Sequence, residues 1–265
     1  MKDMPTGTQK DGIHKFYGLN RETFRILSRS GDQDSHFLNF GYWDKAKTLF
    51  DAQHALADHI LELVTVDSNM SVLEVGCGIG GFSAYVHRKT AAPVVGIDLL
   101  EEHVAAAQRL AQGRETLRFE QGDAGDLSFE VGSFDMIYSV ESAFHYPEKD
   151  RFAKEAYRVL RPGGHLVMVD ITSRSVDDVL FRRGIAFASS EQWTEILQQA
   201  GFSVEQIRQI GDRVFTPLNT FFSGFTPDLQ QRNNSFRYWG MLLQNYARNY
   251  QAGNLGYGLF VATKA

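Results

Sequence analysis

Residues Val72–Val86 read Val-Leu-Glu-Val-Gly-Cys-Gly-Ile-Gly-Gly-Phe-Ser-Ala-Tyr-Val, and this stretch decides the fold. Val72, Leu73 and Val75 make a short apolar run of the kind that a parallel strand, covered on both faces, requires. Gly76, Gly78, Gly80 and Gly81 follow, and Phe82 to Val86 resume at helical spacing. Strand, glycine turn and helix in this order form an anion-receptive site, because the first helical N–H groups lack partners and the dipole end is positive. Gly76, Gly78 and Gly81 also satisfy the G-x-G-x-x-G spacing of dinucleotide-binding folds.

Two acids beside the turn separate a dinucleotide from a ligand with an amino-acid end. Glu74 stands two residues before the first glycine. A carboxylate there repels a diphosphate and attracts an ammonium. Asp98 closes the next apolar run, Pro93-Val94-Val95-Gly96-Ile97-Asp98, 20 residues after Gly78. In that place an acid can accept both hydroxyls of a ribose, although it can also cap the helix expected from Glu101. Farther along come Gly122-Asp123-Ala124, then Phe134-Asp135-Met136-Ile137-Tyr138-Ser139-Val140-Glu141, then Arg158-Val159-Leu160-Arg161-Pro162-Gly163-Gly164-His165-Leu166.

As an ordered set, from about Val72 to Asp170, these pieces resemble the class I S-adenosylmethionine (SAM)-dependent methyltransferases, in particular the small-molecule, natural-product and tocopherol-type members. The resemblance implies SAM as cofactor and a Rossmann-like, doubly wound, seven-stranded and mostly parallel α/β sheet with an added helical cap. It carries Glu74, Gly76, Cys77, Gly78 and Gly80 over as contacts of the methionine end, with Cys77 contributing backbone. Asp98 becomes the ribose ligand and Leu99 its neighbour beside the adenine. Asp123 and Ala124 match the adenine-contacting position, with Asp126 a rival acid in the same loop. Ser139 and Val140 end the fourth strand, where ligands of open α/β sheets gather.

Methyl transfer from a sulfonium needs alignment in a dry pocket and, for a hydroxyl acceptor, removal of a proton. Glu141-Ser142-Ala143-Phe144-His145-Tyr146 follows the fourth strand and holds a suitable base, since histidine titrates near neutral pH. The resemblance to sugar and polyketide O-methyltransferases pairs His145 with Asp170 after the next strand. Asn39-Phe40-Gly41-Tyr42-Trp43 resembles a lid over the cofactor, which makes Tyr17, Tyr42 and Trp43 lid candidates; an aromatic ring can attract a sulfonium. Glu141, Phe222 with Phe221, and Phe181-Arg182-Arg183 are candidates for the acceptor pocket.

Composition narrows the partners. At 265 residues the chain can bury an ample core, and a formal net charge of -5 argues against non-specific nucleic-acid binding. An aromatic content of 12% favours an apolar small-molecule pocket. With Cys77 alone there is no disulfide, which predicts a reducing, cytoplasmic setting; Met1–Gly12 reads as a polar leader, and no run is apolar enough for a membrane span. No spacing of carboxylates and amides predicts a metal site.

The apolar spacing predicts helices over 48–64, 79–89, 101–112, 147–160 and 191–200, and a short one within 14–28. Strands are predicted near 71–75, 93–97, 115–120, 133–138, 164–170, 203–210 and 255–263. Residues 1–46 are read as a lid segment and 47–265 as the SAM-binding domain, with cap insertions near 172–190 and 215–254. The expected activity is methylation of a small apolar or aromatic metabolite, first at oxygen. C-methylation of an isoprenoid alkene and N-methylation are alternatives within the fold. An NAD(P)-dependent oxidoreductase and a SAM-binding protein without methyl transfer are alternatives outside that chemistry.

Overall fold

Seven strands form the sheet of the computed structural model, which describes residues 12–14, 17, 29–30, 33–174, 185–224 and 234–265. They are β1 (Val72–Val75), β2 (Val94–Asp98), β3 (Leu117–Gln121), β4 (Phe134–Val140), β5 (Leu160–Ser173), β6 (Phe202–Gln209) and β7 (Leu255–Lys264). Their order across the sheet is β3-β2-β1-β4-β5-β7-β6, and β7 runs antiparallel to both its neighbours. All four residues of β1 are buried, which is why its sequence shows no alternation. β1 pairs with β2 from Val72↔Val94 to Val75↔Ile97, and with β4 from Val72↔Met136 to Glu74↔Tyr138.

The helices are α1 (Leu49–Leu61), α2 (Gly81–Thr90), α3 (Glu101–Ala111), α4 (Lys149–Val159), α5 (Ser190–Gln199), α6 (Phe215–Ser223) and α7 (Asn234–Gln251). α1 begins where the Thr48 hydroxyl accepts from the Asp51 amide at 3.1 Å, and it buries Leu49, Ala52, Leu56 and Ile60. α5 begins with a capping box between Ser189 and Gln192. α1, α2, α3, α6 and α7 pack on one face of the sheet, α4 and α5 on the other. α6 and α7 join through rings, with Phe222 stacked on Phe236 at 5.9 Å and Phe215 against Tyr246 at 6.1 Å.

Three expectations shift. β5 starts at Leu160, not near 164: Leu160 pairs with Phe134 and the ladder then jumps to Met136↔His165, so Arg161-Pro162-Gly163-Gly164 is an irregular part of the strand. The Arg161–Asp135 ion pair holds that irregularity to β4. The expected cap near 172–190 loses its first residues to β5, which continues to Ser173. Met1–Asp11 of the leader, most of the helix expected over His14–Ser28, and Phe181-Arg182-Arg183 lie outside the described residues. Among the described residues, no helix is long and apolar enough to cross a membrane.

Chain order reverses direction across the sheet at β1, since β2 lies on one side of it and β4 on the other. Loops leaving the carboxyl ends of β1 and β4 part there, and a crevice opens between them.

Candidate functional site

A cavity of about 430 Å³ occupies this crevice. Its floor is the glycine turn. Gly76 has φ +76°, and a Cβ on it would stand 2.3 Å from Cβ of Ser142, so only glycine lets the two loops approach. Three amides that the sequence offered to an anion are already spent. Gly76 N and Cys77 N both donate to the Ile97 carbonyl, at 2.9 and 2.8 Å, and Gly78 N donates to Asp98 Oδ2 at 2.9 Å. Behind them Glu74 is buried and accepts a hydrogen bond from the Ser83 hydroxyl in the first turn of α2. Burial pushes the Glu74 carboxyl up to about 8. The expected anion cradle is therefore a close-approach surface backed by a carboxylate.

Asp98 lies at the cavity just before α3, whose N-cap is Leu100 with no side-chain cap bond, so the helix-cap role is not the one it takes. Its Oδ1 accepts from Leu100 N at 2.9 Å, at the entry to α3, and faces His103 Nδ1 at 3.1 Å. A carboxylate has about four acceptor positions, so Asp98 keeps capacity for a ligand hydroxyl. Leu99, Asp123 and Ala124 line the same wall, and Asp126 is not among the lining residues. Cys77 is buried with its thiol pushed well up by desolvation and by Glu74 and Asp98, which leaves it inert as a nucleophile.

The opposite wall is the turn after β4. Glu141 has φ +47°, and its Oε1 accepts from Phe40 N at 2.7 Å and from the Tyr257 hydroxyl. Burial raises this carboxyl to about 8 as well. Ala143–His145 forms a short 3₁₀ turn, and its far end is tied back to β1: Ser142 Oγ and the Tyr146 hydroxyl each donate to the Val75 carbonyl at 3.0 Å. His145 is buried against Phe144, with ring centroids 4.1 Å apart. Tyr17 crosses the mouth, its hydroxyl 3.4 Å from His145 Nε2 and its ring edge-on to His103 at 4.8 Å. Burial and the carboxylates of Asp98, Glu141 and Asp170 hold the Tyr17 hydroxyl protonated.

Of the residues singled out in the sequence, the cavity brings together Tyr17, Glu74, Gly76, Cys77, Gly78, Asp98, Leu99, Asp123, Ala124, Val140, Glu141 and His145. Six others stand elsewhere, each for a physical reason. Gly80 ends the turn at φ +88°, where a Cβ would meet Phe119 and Ala107. Ser139 is buried behind the turn, its hydroxyl 3.0 Å from that of Ser142. Tyr42 stacks on His59 at 4.8 Å, and Trp43 packs on Phe221 while its ring N–H donates to the Phe40 carbonyl. Phe222 is used in the contact with Phe236. Asp170 is fully buried in β5. The segment that does reach the cavity is His36–Asn39, just before the expected lid aromatics. His103 was also missed, although its place five residues after Asp98, in the first turn of α3, was a usable signal.

Glu74, Asp98, Asp123, Glu141 and Glu148 line the cavity, against Arg151 as the lining guanidinium. A site so rich in carboxylates attracts a cation and repels a diphosphate. A family model described as "methyltransferase domain" matches residues 73–168, a span that includes the glycine turn, Asp98 and His145. A fatty-acid O-methyltransferase of Mycolicibacterium smegmatis is 32% identical over 189 residues, covering 68% of this chain and 67% of that one. This chain belongs to the SAM-dependent methyltransferases. The methyltransferase GfsG of Streptomyces halstedii is 34% identical over 180 residues, 65% of this chain; the match spans 64% of GfsG, just under two thirds. Over 97% of this chain and 96% of the other, the fold superposes on the crystal structure of the [4+2]-cyclase SpnF, with a TM-score of 0.79 and 25% identity. The methyltransferase family uses SAM, whose ammonium and sulfonium suit the carboxylate-lined cavity. That fit favours a methyltransferase over the dinucleotide alternative.

Proposed function

We propose that this methyltransferase acts on a hydroxyl of a small apolar metabolite, with His145 as the general base. The observation that carries the reading is the place of His145: buried, on a fastened turn, at the cavity wall opposite the glycine floor. When bound, SAM supplies a methyl group already activated on a sulfonium. Glu74 and the glycine turn take its amino-acid end, Asp98 its ribose, and Asp123 with Ala124 its adenine. Glu141, whose carboxyl stands at about 8, would give up its proton as a cationic ligand arrives at its wall of the cavity. The imidazole of His145 takes the hydroxyl proton, and the Tyr17 hydroxyl, 3.4 Å from Nε2, steadies the ring while closing the mouth. Residues 1–46 serve as the lid in this reading, with His36–Asn39 as the part that meets the ligand. Oxygen is the preferred atom because a hydroxyl must give up its proton as the methyl arrives, whereas an alkene needs a base only afterwards, to take a proton from the carbocation; the fatty-acid O-methyltransferase relative points the same way.

A mass-spectrometric screen of hydroxylated acceptors with SAM tests the reading. With an acceptor in hand, His145→Ala should keep SAM affinity and lower turnover by roughly a hundredfold or more at neutral pH. The deficit should shrink as pH approaches the acceptor's own pKa. Normal turnover in the variant would remove His145 as base. SAM binding without transfer to any acceptor would favour the silent SAM-binding alternative, which the likeness to SpnF, a cyclase, keeps in view.

A further inference from the structure

Among the described residues Lys149 is the one buried lysine, and the proposed chemistry makes no use of it. It is the first residue of α4, directly after the turn that carries His145. Its Nζ donates to the Ala143 carbonyl at 2.8 Å and to the Tyr146 carbonyl at 3.0 Å, and lies 5.2 Å from the Trp193 ring on α5. The charged group that acts on it is Asp170 of β5. Burial lowers the ammonium to about 8 against the pull of that carboxylate. Asp170 accepts from Ile171 N through Oδ1 at 2.9 Å, and its burial raises its own carboxyl well above the usual range against the pull of Lys149.

A buried ammonium costs several kcal/mol of desolvation, roughly, and an apolar side chain of the same length would avoid it. Packing therefore does not explain the residue. Its two acceptors do. The Ala143 carbonyl already closes the turn by accepting from Tyr146 N at 3.0 Å, and Lys149 adds a charged donor to it and to the Tyr146 carbonyl; these two flank His145 on either side along the chain. One cation at the turn's carbonyl end satisfies both and matches the local dipole. Releasing them frees the peptide planes on both sides of the imidazole, and misplacement of a reacting group by about 1 Å can cost a hundredfold in rate.

We propose that Lys149 is a positioning residue whose ammonium clamps the carbonyls of Ala143 and Tyr146 and so sets the direction in which His145 enters the cavity. The inference rests on the reading of His145 as base.

The test uses the full chain with S-adenosylhomocysteine as the probe. In Lys149→Met the dissociation constant for the probe should stay within about threefold, since the floor of the cavity is untouched. Amide exchange at His145 and Tyr146, which close the turn through Ser142 O and Ala143 O at 3.0 Å each, should accelerate about ten- to a hundredfold. Nuclear magnetic resonance should show the imidazole C–H signals of His145 moved and those of His54, on α1, in place. Should Lys149→Met fail to fold, Lys149→Met with Asp170→Asn removes the uncompensated acid and should show the same loosened turn. Unchanged exchange at the two amides, or acceleration spread equally over β4 and α4, would overturn the proposal. Normal turnover in His145→Ala is a separate result: it removes the base and leaves the clamp to be judged by exchange alone.

Discussion

The glycine turn after β1 and the cap built from residues 37–43, α6 and α7 both pack onto the sheet, but they are held by different means. At the turn, the backbone itself is the working surface. Gly76 is held at φ +76° with Ser142 against it, and the amides of Gly76, Cys77 and Gly78 are each committed to a named acceptor. In the cap, large rings do the packing: Phe40 against Trp239 at 5.9 Å, Trp43 against Phe221 at 5.0 Å, Phe222 against Phe236. A backbone site has little tolerance because it has no side chain to move, whereas a ring cluster can repack around a changed neighbour. The glycine turn is thus fixed by conformation, and the cap is open to variation in side chains.

The sharpest test of that contrast is Gly76→Ala. A left-handed backbone costs an alanine on the order of 1–2 kcal/mol, and overpacking about 1–3 kcal/mol more, so affinity for S-adenosylhomocysteine should fall roughly a hundredfold. Trp43→Ala should instead cost about 3–5 kcal/mol of stability in denaturant while leaving affinity within about threefold. If calorimetry finds the probe bound equally weakly by both variants, the division between floor and cap is wrong.

Asp98→Ala comes next. Losing a charged acceptor for the ribose hydroxyls removes about 1.5–3 kcal/mol, or ten- to a hundredfold in affinity. The Gly78 amide would lose its partner in the same variant, so the loss of affinity would include loosening of the glycine turn. An unchanged dissociation constant would refute the ribose assignment.

The smallest effect is one of pH. The Glu74 carboxyl stands at about 8 before any ligand binds, so below that pH it carries a proton that must leave when an ammonium arrives. SAM affinity should therefore rise with pH, by at most about tenfold per unit, and level off above 8, and Glu74→Gln should flatten the rise. A slope that survives in Glu74→Gln would move the cationic end toward Glu141, whose carboxyl also stands at about 8.

Much of the cofactor half was legible in the chain order alone. Apolar runs closed by Glu74 and Asp98, glycines between strand and helix, and the alternation of periods are local signals, because parallel strands and their following helices are each written in contiguous residues. Of the twelve cavity residues anticipated, all but Tyr17, a lid candidate from the resemblance, lie next to such signals. Tyr42, Trp43 and Phe222 misled for the converse reason. An aromatic residue in an amphipathic segment reads the same whether it faces a ligand or another ring, and only the partner contributed by a distant segment decides. Asp170 was placed correctly at β5, but its distance from the ligand depends on how α4 and α5 close over it.

The sequence by itself therefore determined the alternation of strands and helices, the glycine turn and the carboxylates at the strand ends, since each depends on residues near one another in the chain. Tertiary structure alone decided that the turn amides are already bonded, that His36–Asn39 and not the later aromatics reach the cavity, and that a buried lysine grips the turn of His145. Those outcomes depend on which donors and acceptors meet across the fold, and a hydrogen bond leaves no periodic trace in the chain that makes it.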